Sequence, residues 1–217
     1  MSWHLNWREV AVLDANAEAL GTPVSTLMSA AGKALAHKAA LMAPEGEILI
    51  LCGPGNNGGD GFAAALELIE MGGEVRIIAS HEVQKGTDSQ NFRDKCSSVD
   101  VWNHDCDFGS PDLLVDCLLG VGLDGEPRGK ISEIINWVKP HNPTLVLACD
   151  IPSGLGSEIL LPADATVTFH AEKEGMNYSD VGEVVVAPLP WPDATVNCGP
   201  GDALRYPPLD PSAHKGQ

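Results

Sequence analysis

The stretch Glu47-Ile48-Leu49-Ile50-Leu51-Cys52-Gly53-Pro54-Gly55-Asn56-Asn57-Gly58-Gly59-Asp60-Gly61-Phe62-Ala63-Ala64-Ala65-Leu66-Glu67-Leu68-Ile69 decides the reading of the fold. Its three parts are an apolar run, a glycine-rich turn and an alanine- and leucine-rich run, the signature of strand, loop and helix. Five glycines fall in the nine positions from Gly53 to Gly61. They free the backbone to reach positive φ and to turn several N–H groups inward, with the positive end of the following helix behind them. Such a cradle binds anions, phosphate above all. Gly53, Gly55 and Gly58 match G-x-G-x-x-G, which alone is a weak dinucleotide signal. Asn56, Asn57 and Asp60 sharpen it, because they place coordinating side chains where a plain cradle needs none.

Outward from this stretch the pattern repeats. Gly72-Gly73 ends the helix, and Glu74-Val75-Arg76-Ile77-Ile78-Ala79 reads as a second strand, so the unit is a right-handed parallel β-α-β crossover. Upstream, Trp7 to Leu20 carries apolar residues at helical spacing and leaves Arg8, Asp14 and Glu18 outward. Thr22-Pro23 then opens a second, alanine-rich helix over 24–42. Downstream, Gln84 to Val99 reads as a short helix with loops and Ser98 to Trp102 as a short edge strand. Asp112 to Leu119 is a buried strand that runs into Gly120-Val121-Gly122-Leu123-Asp124-Gly125-Glu126, and Ile131 to Lys139 is an amphipathic helix. Thr144 to Cys149 is an apolar run that ends in Asp150-Ile151-Pro152-Ser153-Gly154, and strands follow at Ala165 to Phe169 and Glu183 to Val186. No repeat or linker divides the chain. The expectation is one domain over residues 1–217, a three-layer α/β/α sandwich on a Rossmann-like, mostly parallel sheet.

Composition narrows the function classes. The 217 residues are 44% hydrophobic, enough for one large core, and no apolar run is long enough to span a membrane. The N-terminus lacks the apolar segment of a secretory signal, so a cytoplasmic setting is expected. Thirty acidic residues against 13 basic ones give a net charge of −17. That balance argues against nucleic acid and anionic membrane surfaces as partners. A phosphate-bearing ligand must then be held locally, by backbone N–H groups or a bound cation. The six cysteines show no C-x-x-C spacing and read as small buried hydrophobes.

In an open α/β sheet, ligands bind beyond the carboxyl ends of the strands. Three such ends carry conspicuous polar residues here: Asn56 to Asp60, Asp116 to Gly122, and Asp150 to Ser153. One aspartate at one strand end is as readily a helix cap or a turn, but three coincident ends point to a site. Asn57, Asp116 and Ser153 offer oxygen ligands that suit a hard cation, and one carboxylate among them suits a monovalent ion.

These residues resemble those of the NAD(P)H-hydrate epimerases, the YjeF N-terminal domain family. The likeness rests on Leu27-Met28 with Ala30-Ala31-Gly32, on Gly53 to Gly61, on Asp116 with Gly120 and Gly122, on Asp150 to Gly154, and on Thr166 to Phe169 with Lys173. It implies a homodimer that interconverts the R and S forms of hydrated NADH and NADPH. It places the hydrate at Asn56, Asn57, Gly58, Gly59, Asp60, at Gly120, Val121, Gly122, Leu123, Asp124, Gly125, Glu126 and at Asp150, and potassium at Asn57, Asp116 and Ser153. Asp150 is then the candidate for proton transfer, with Lys173 assisting. A dehydratase domain, which many relatives carry, does not fit in 217 residues, so a separate dehydratase is the expected partner. The stretch after Ser153-Gly154 is also shorter than the family's usual one. Two other readings compete. An NAD-dependent oxidoreductase would use the same glycine pattern with Glu82 as its acidic residue. A non-catalytic nucleotide-binding scaffold of the same fold would have lost the polar strand ends.

Overall fold

The computed structural model describes residues 4–122, 125–141 and 143–192. Two helices, α1 (Trp7–Ala19) and α2 (Val24–Met42), precede β1 (Glu47–Cys52), α3 (Asn56–Glu70) and β2 (Glu74–Ala79). Then come α4 (Asp88–Arg93), β3 (Asp100–Val101), β4 (Leu113–Cys117), α5 (Lys130–His141), β5 (Val146–Cys149), β6 (Ala165–Phe169), the single turn α6 (Tyr178–Val181) and β7 (Glu183–Ala187).

The strands form one seven-stranded sheet in the order β3-β2-β1-β4-β5-β6-β7. Every pairing is parallel. Because the chain leaves β1 toward one edge and returns through β4 toward the other, the crevice between β1 and β4 is the point at which ligands bind in such sheets. The strands are buried on both faces, which is why they read as continuous apolar runs. One face packs Leu35, Ala36, Phe62 and Leu68 of α2 and α3 on Ile48, Ile50 and Val115. The other packs Ile131, Ile134, Ile135 and Val138 of α5 on Leu49, Leu51 and Leu114, giving three layers. A smaller cluster joins Leu13 and Ala17 of α1 to Leu27, Ala171 and Trp191.

The start of α3 departs from the sequence reading. The helix begins at Asn56, inside the glycine-rich stretch, and Gly55 is its N-cap. None of the five glycines from 53 to 61 has positive φ. They are required for close approach instead. A Cβ on Gly53 would sit 1.8 Å from the Leu118 carbonyl oxygen, and one on Gly58 would sit 1.9 Å from that of Gly53. Gly61 lets α3 settle on the thiols of Cys52 and Cys117, and Gly32 lets α2 settle on Ala63. The expected cradle is therefore a helix N-terminus: Gly59 N–H already bonds to Gly55 O, so the open N–H groups are those of Asn56, Asn57 and Gly58. Leu123, Asp124 and the chain from residue 193 on, Cys198 included, lie outside the described residues. Among those described, no helix is long and apolar enough to cross a membrane.

Candidate active site

Three strand exits meet at the crevice. At the end of β4, Asp116 is wholly buried, and its carboxylate accepts from Leu118 N–H (3.1 Å), Ser153 N–H (2.8 Å) and the Ser153 hydroxyl (2.6 Å). The Ser153 oxygen accepts in turn from Leu119 N–H at 2.9 Å. The β4 and β5 exits are thus tied by one buried network. Burial pushes Asp116 up to about 6, and the bonds from Ser153 and Leu118 hold it from going higher. Asn57, in the first turn of α3, lies beside Gly120, where a Cβ would meet its amide at 3.5 Å, an ordinary van der Waals contact. The buried Asn57 Nδ2 has no hydrogen-bond partner among the described residues.

At the end of β5 the backbone takes a rare form: Asp150 has φ of 65°, in the left-handed region. Its N–H bonds to Val167 O at 2.7 Å, so β6 holds the turn in place. The strained turn aims the side chain at Lys173, whose Nζ lies 2.6 Å from Asp150 Oδ1. Lys173 is only 2% exposed, so it is not the solvated surface group that lysines after strands usually are. Its ammonium also donates to Phe169 O (2.7 Å), Thr168 Oγ1 (2.9 Å) and Ala171 O (3.1 Å), and Thr168 donates to Asp150 at 3.2 Å.

The loop that carries Lys173 is pinned from outside by the N-terminal segment. Leu5 N–H bonds to Glu172 O and Glu174 N–H to Leu5 O, a short parallel bridge between Leu5 and Lys173. Asn6 then starts α1 with a capping box to Glu9. The bridge fixes where α1 runs, and α1 brings Asp14 into the field of Asp150 and Lys173. Sequence patterning placed Asp14 outward; it is half-buried instead. Burial, then Asp150, push Asp14 up to about 7 against the pull of Lys173. Burial, then Asp150 and Asp14, push Asp60 on α3 well above the carboxylate range. Asp14 and Asp60 thus each feel the charge of Asp150, which Lys173 pairs directly. Among the described residues no group of three or more histidine, cysteine or carboxylate side chains is arranged to hold a metal ion.

A cleft of about 280 Å³ opens over Lys173, lined by Trp7, Gly120, Val121, Ile151 and Gly154 among others. It sits at the small end of the roughly 300–1,000 Å³ usual for ligand pockets. The short segment after Ser153 closes the cleft's side through Leu161 N–H on Ser153 O. Gly154, at φ +83°, is needed there, since a Cβ would sit 2.0 Å from the Ile159 carbonyl oxygen. Of the residues expected to hold a ligand, Gly120, Val121 and Gly125 line the cleft. Asn56 and Glu126 are exposed, and Gly58 and Gly59 are buried in the packing of α3. Glu82, the acidic residue of the oxidoreductase reading, is exposed in the loop after β2.

A parallel α/β sheet with polar strand ends at its switch point defines a nucleotide-site architecture. Within that class, the model of the YjeF-related protein N-terminus matches residues 24–175. The chain belongs to this family. It is 37% identical over 96% of its length to a bifunctional NAD(P)H-hydrate repair enzyme of Methanothermobacter thermautotrophicus, spanning 44% of that protein. It is 36% identical over 69% of its length to an NAD(P)H-hydrate epimerase of Clavibacter michiganensis, spanning 74% of it. The chain thus spans less than half of the bifunctional relative. The crystal structure of yeast ynu0 shares the fold, with a TM-score of 0.72 at 18% identity over 84% of this chain and 86% of that one.

Proposed function

We propose that the chain is an NAD(P)H-hydrate epimerase, interconverting the R and S forms of hydrated NADH and NADPH. The buried Asp150–Lys173 pair at the cleft carries the reading, because a binding scaffold has no use for a desolvated ion pair there. The hydrate is a carbinolamine, with a hydroxyl on the ring carbon next to nitrogen. Protonation of that hydroxyl lets the nitrogen lone pair expel water, and water returning to the other face of the iminium inverts the centre. The chain must deliver one proton and remove one.

Asp150 is placed to do this. Lys173 holds one of its carboxylate oxygens, which fixes the side chain and leaves the other oxygen for the substrate. The cleft takes the hydrated ring, and the first turn of α3 offers its N–H groups to a phosphate. Asn57, Asp116 and Ser153 fit a potassium ion: the donor set is one carboxylate, one hydroxyl and one amide, and a half-turn of the Asn57 amide points its oxygen where Nδ2 now lacks a partner. Bound there, the ion would offset the Asp116 charge beside an anionic ligand. A homodimer in the cytoplasm, acting with a dehydratase, completes the reading. It is tested by giving purified R hydrate to the enzyme and following the S form by chromatography. Equilibration well above the spontaneous rate is expected, and a rate equal to the protein-free control overturns the reading.

A further inference from the structure

We propose that Thr168 is a positioning residue of this site, whose hydroxyl sets the plane of the Asp150 carboxylate and keeps Oδ2 clear of Lys173; the inference rests on the epimerase reading. A buried threonine needs a reason, because a hydroxyl taken out of water must find a partner. β6 holds two, Thr166 and Thr168, both wholly buried and alternating with the core residues Ala165, Val167 and Phe169. Thr166 is accounted for by the fold, since its hydroxyl donates to Val181 O at 2.7 Å and ties down the single turn α6. The shorter bonds of Thr168 go to the ion pair instead.

Those bonds have a direction. The Lys173 ammonium can only donate, so the Thr168 oxygen accepts from Nζ at 2.9 Å. The hydroxyl hydrogen is then left for Asp150 Oδ1 at 3.2 Å, which is nearer than Ala171 O at 3.5 Å and carries charge. Asp150 Oδ1 thus meets two donors, Nζ at 2.6 Å and the hydroxyl, while Oδ2 takes part in neither contact. Hydrogen bonds at a carboxylate oxygen prefer its plane, so two donors arriving from different side chains define that plane where one would leave it free to pivot.

Lys173 cannot impose that orientation alone. An ammonium is a compact charge with rotatable donors, and four oxygens share its three protons here, those of Asp150, Thr168, Phe169 and Ala171. The terminal torsion of an aspartate is broad, so with only Nζ to hold it the carboxylate would swing and draw Oδ2 onto the lysine as well. The hydroxyl resists this because its own carrier is stiff: Thr168 is β-branched and sits in the β6 ladder opposite Val186 of β7. Thr168 is wholly buried whereas Lys173 lines the cleft, so the hydroxyl reaches the substrate only through the pair. Its loss should leave binding intact and slow proton transfer, the step that depends on the direction of the Asp150 oxygen.

The test is the steady-state kinetics of epimerisation, from purified R hydrate to the S form, for the parent, Thr168→Val and Thr168→Ser. Thr168→Val keeps the volume and removes the hydroxyl; it should melt a few degrees below the parent, hold KM within about twofold and lose on the order of 10–10² in kcat. Thr168→Ser gives up the methyl, keeps the hydroxyl and should stay within roughly threefold of the parental kcat. A threonine that served packing alone would give the opposite order, with valine the better replacement. An active parent whose kcat survives Thr168→Val, whose KM rather than kcat responds to it, or whose Thr168→Ser variant is as slow as Thr168→Val overturns the role of Thr168 and leaves the epimerase reading standing. A parent that never equilibrates the hydrates overturns both. Should Thr168→Val fail to fold, Thr168→Ala decides by the same measurement: a fall in kcat at constant KM upholds the proposal, and any other result overturns it.

Discussion

At the scale of single residues, the Asp150–Lys173 pair is the group whose loss costs most. Both members are buried, so removing one strands the other's charge away from water, a change worth about 3–5 kcal/mol in comparable pairs. Lys173→Met should therefore lower the melting temperature by several degrees and abolish epimerisation. Asp150→Asn should lower activity by ~10²–10⁴ with a smaller loss of stability, since the amide still accepts from Lys173 and Thr168. Melting by circular dichroism beside the epimer assay separates the two. Equal stability of Lys173→Met and the parent would mean that the ammonium reaches solvent. The sequence showed Asp150, because a carboxylate that ends an apolar run stands out. It hid Asp14, since a polar residue on an amphipathic helix looks the same whether it faces water or another buried charge. No pattern in the chain announces the bridge between Leu5 and Lys173, residues 168 apart in sequence, that pins the segment leading into α1.

At the scale of elements, the N-terminus of α3 has two kinds of glycine. Gly58 touches the Gly53 carbonyl, so Gly58→Val should unfold the turn and says nothing about ligands. Gly55 has open space where its Cβ would be, and its φ of −98° suits any residue. Gly55→Val should then keep the fold and melt a few degrees below the parent, because valine at the N-cap costs about 1 kcal/mol, while weakening NADP binding at least tenfold by calorimetry. Unchanged affinity would place the phosphates elsewhere. The β4 exit offers a second test. Asp116→Asn removes the charge and sets an NH2 against the N–H of Ser153 or of Leu118, so it should cost some stability, and the stabilisation by potassium over a bulky organic cation should vanish with it. The helices and strands were legible almost to the residue, because buried parallel strands and amphipathic helices leave strong periodicity. The start of α3 was not. Glycine in a row reads as loop, and only the packing of Met28, Cys52 and Cys117 against the helix shows that these glycines serve contact. The three polar strand ends were legible for the opposite reason, since polar residues have no packing reason to end buried strands.

At the scale of the whole molecule, the charge balance and the buried carboxylates act on stability in the same direction. An acid whose folded pKa is raised binds its proton more tightly folded than unfolded, so its burial is free of penalty below the unfolded value of 3.8 and destabilises increasingly as pH climbs toward the folded value. For Asp14 that window runs from 3.8 to about 7, and Asp60 is pushed in the same direction by burial. The net charge of −17 adds self-repulsion that eases as carboxylates take protons. His81 and His170 oppose this. Burial lowers both, with Lys130 and Lys173 adding to it, so the unfolded chain gains protons first once the pH falls below their ordinary 6.5. The melting temperature should therefore rise as the pH falls from about 7, and more slowly below 6.5, where the histidines oppose the carboxyls. One proton is worth at most ~1.4 kcal/mol per pH unit, half-exposed carboxyls realise only part of it, and the expected rise is a few degrees. High salt should remove the share due to surface repulsion and leave the share due to burial. Asp14→Asn combined with Asp60→Asn should flatten what remains and melt above the parent at pH 8. A parent that melts lower at pH 6.5 than at pH 8 would show that the buried carboxylates are ionised at neutral pH.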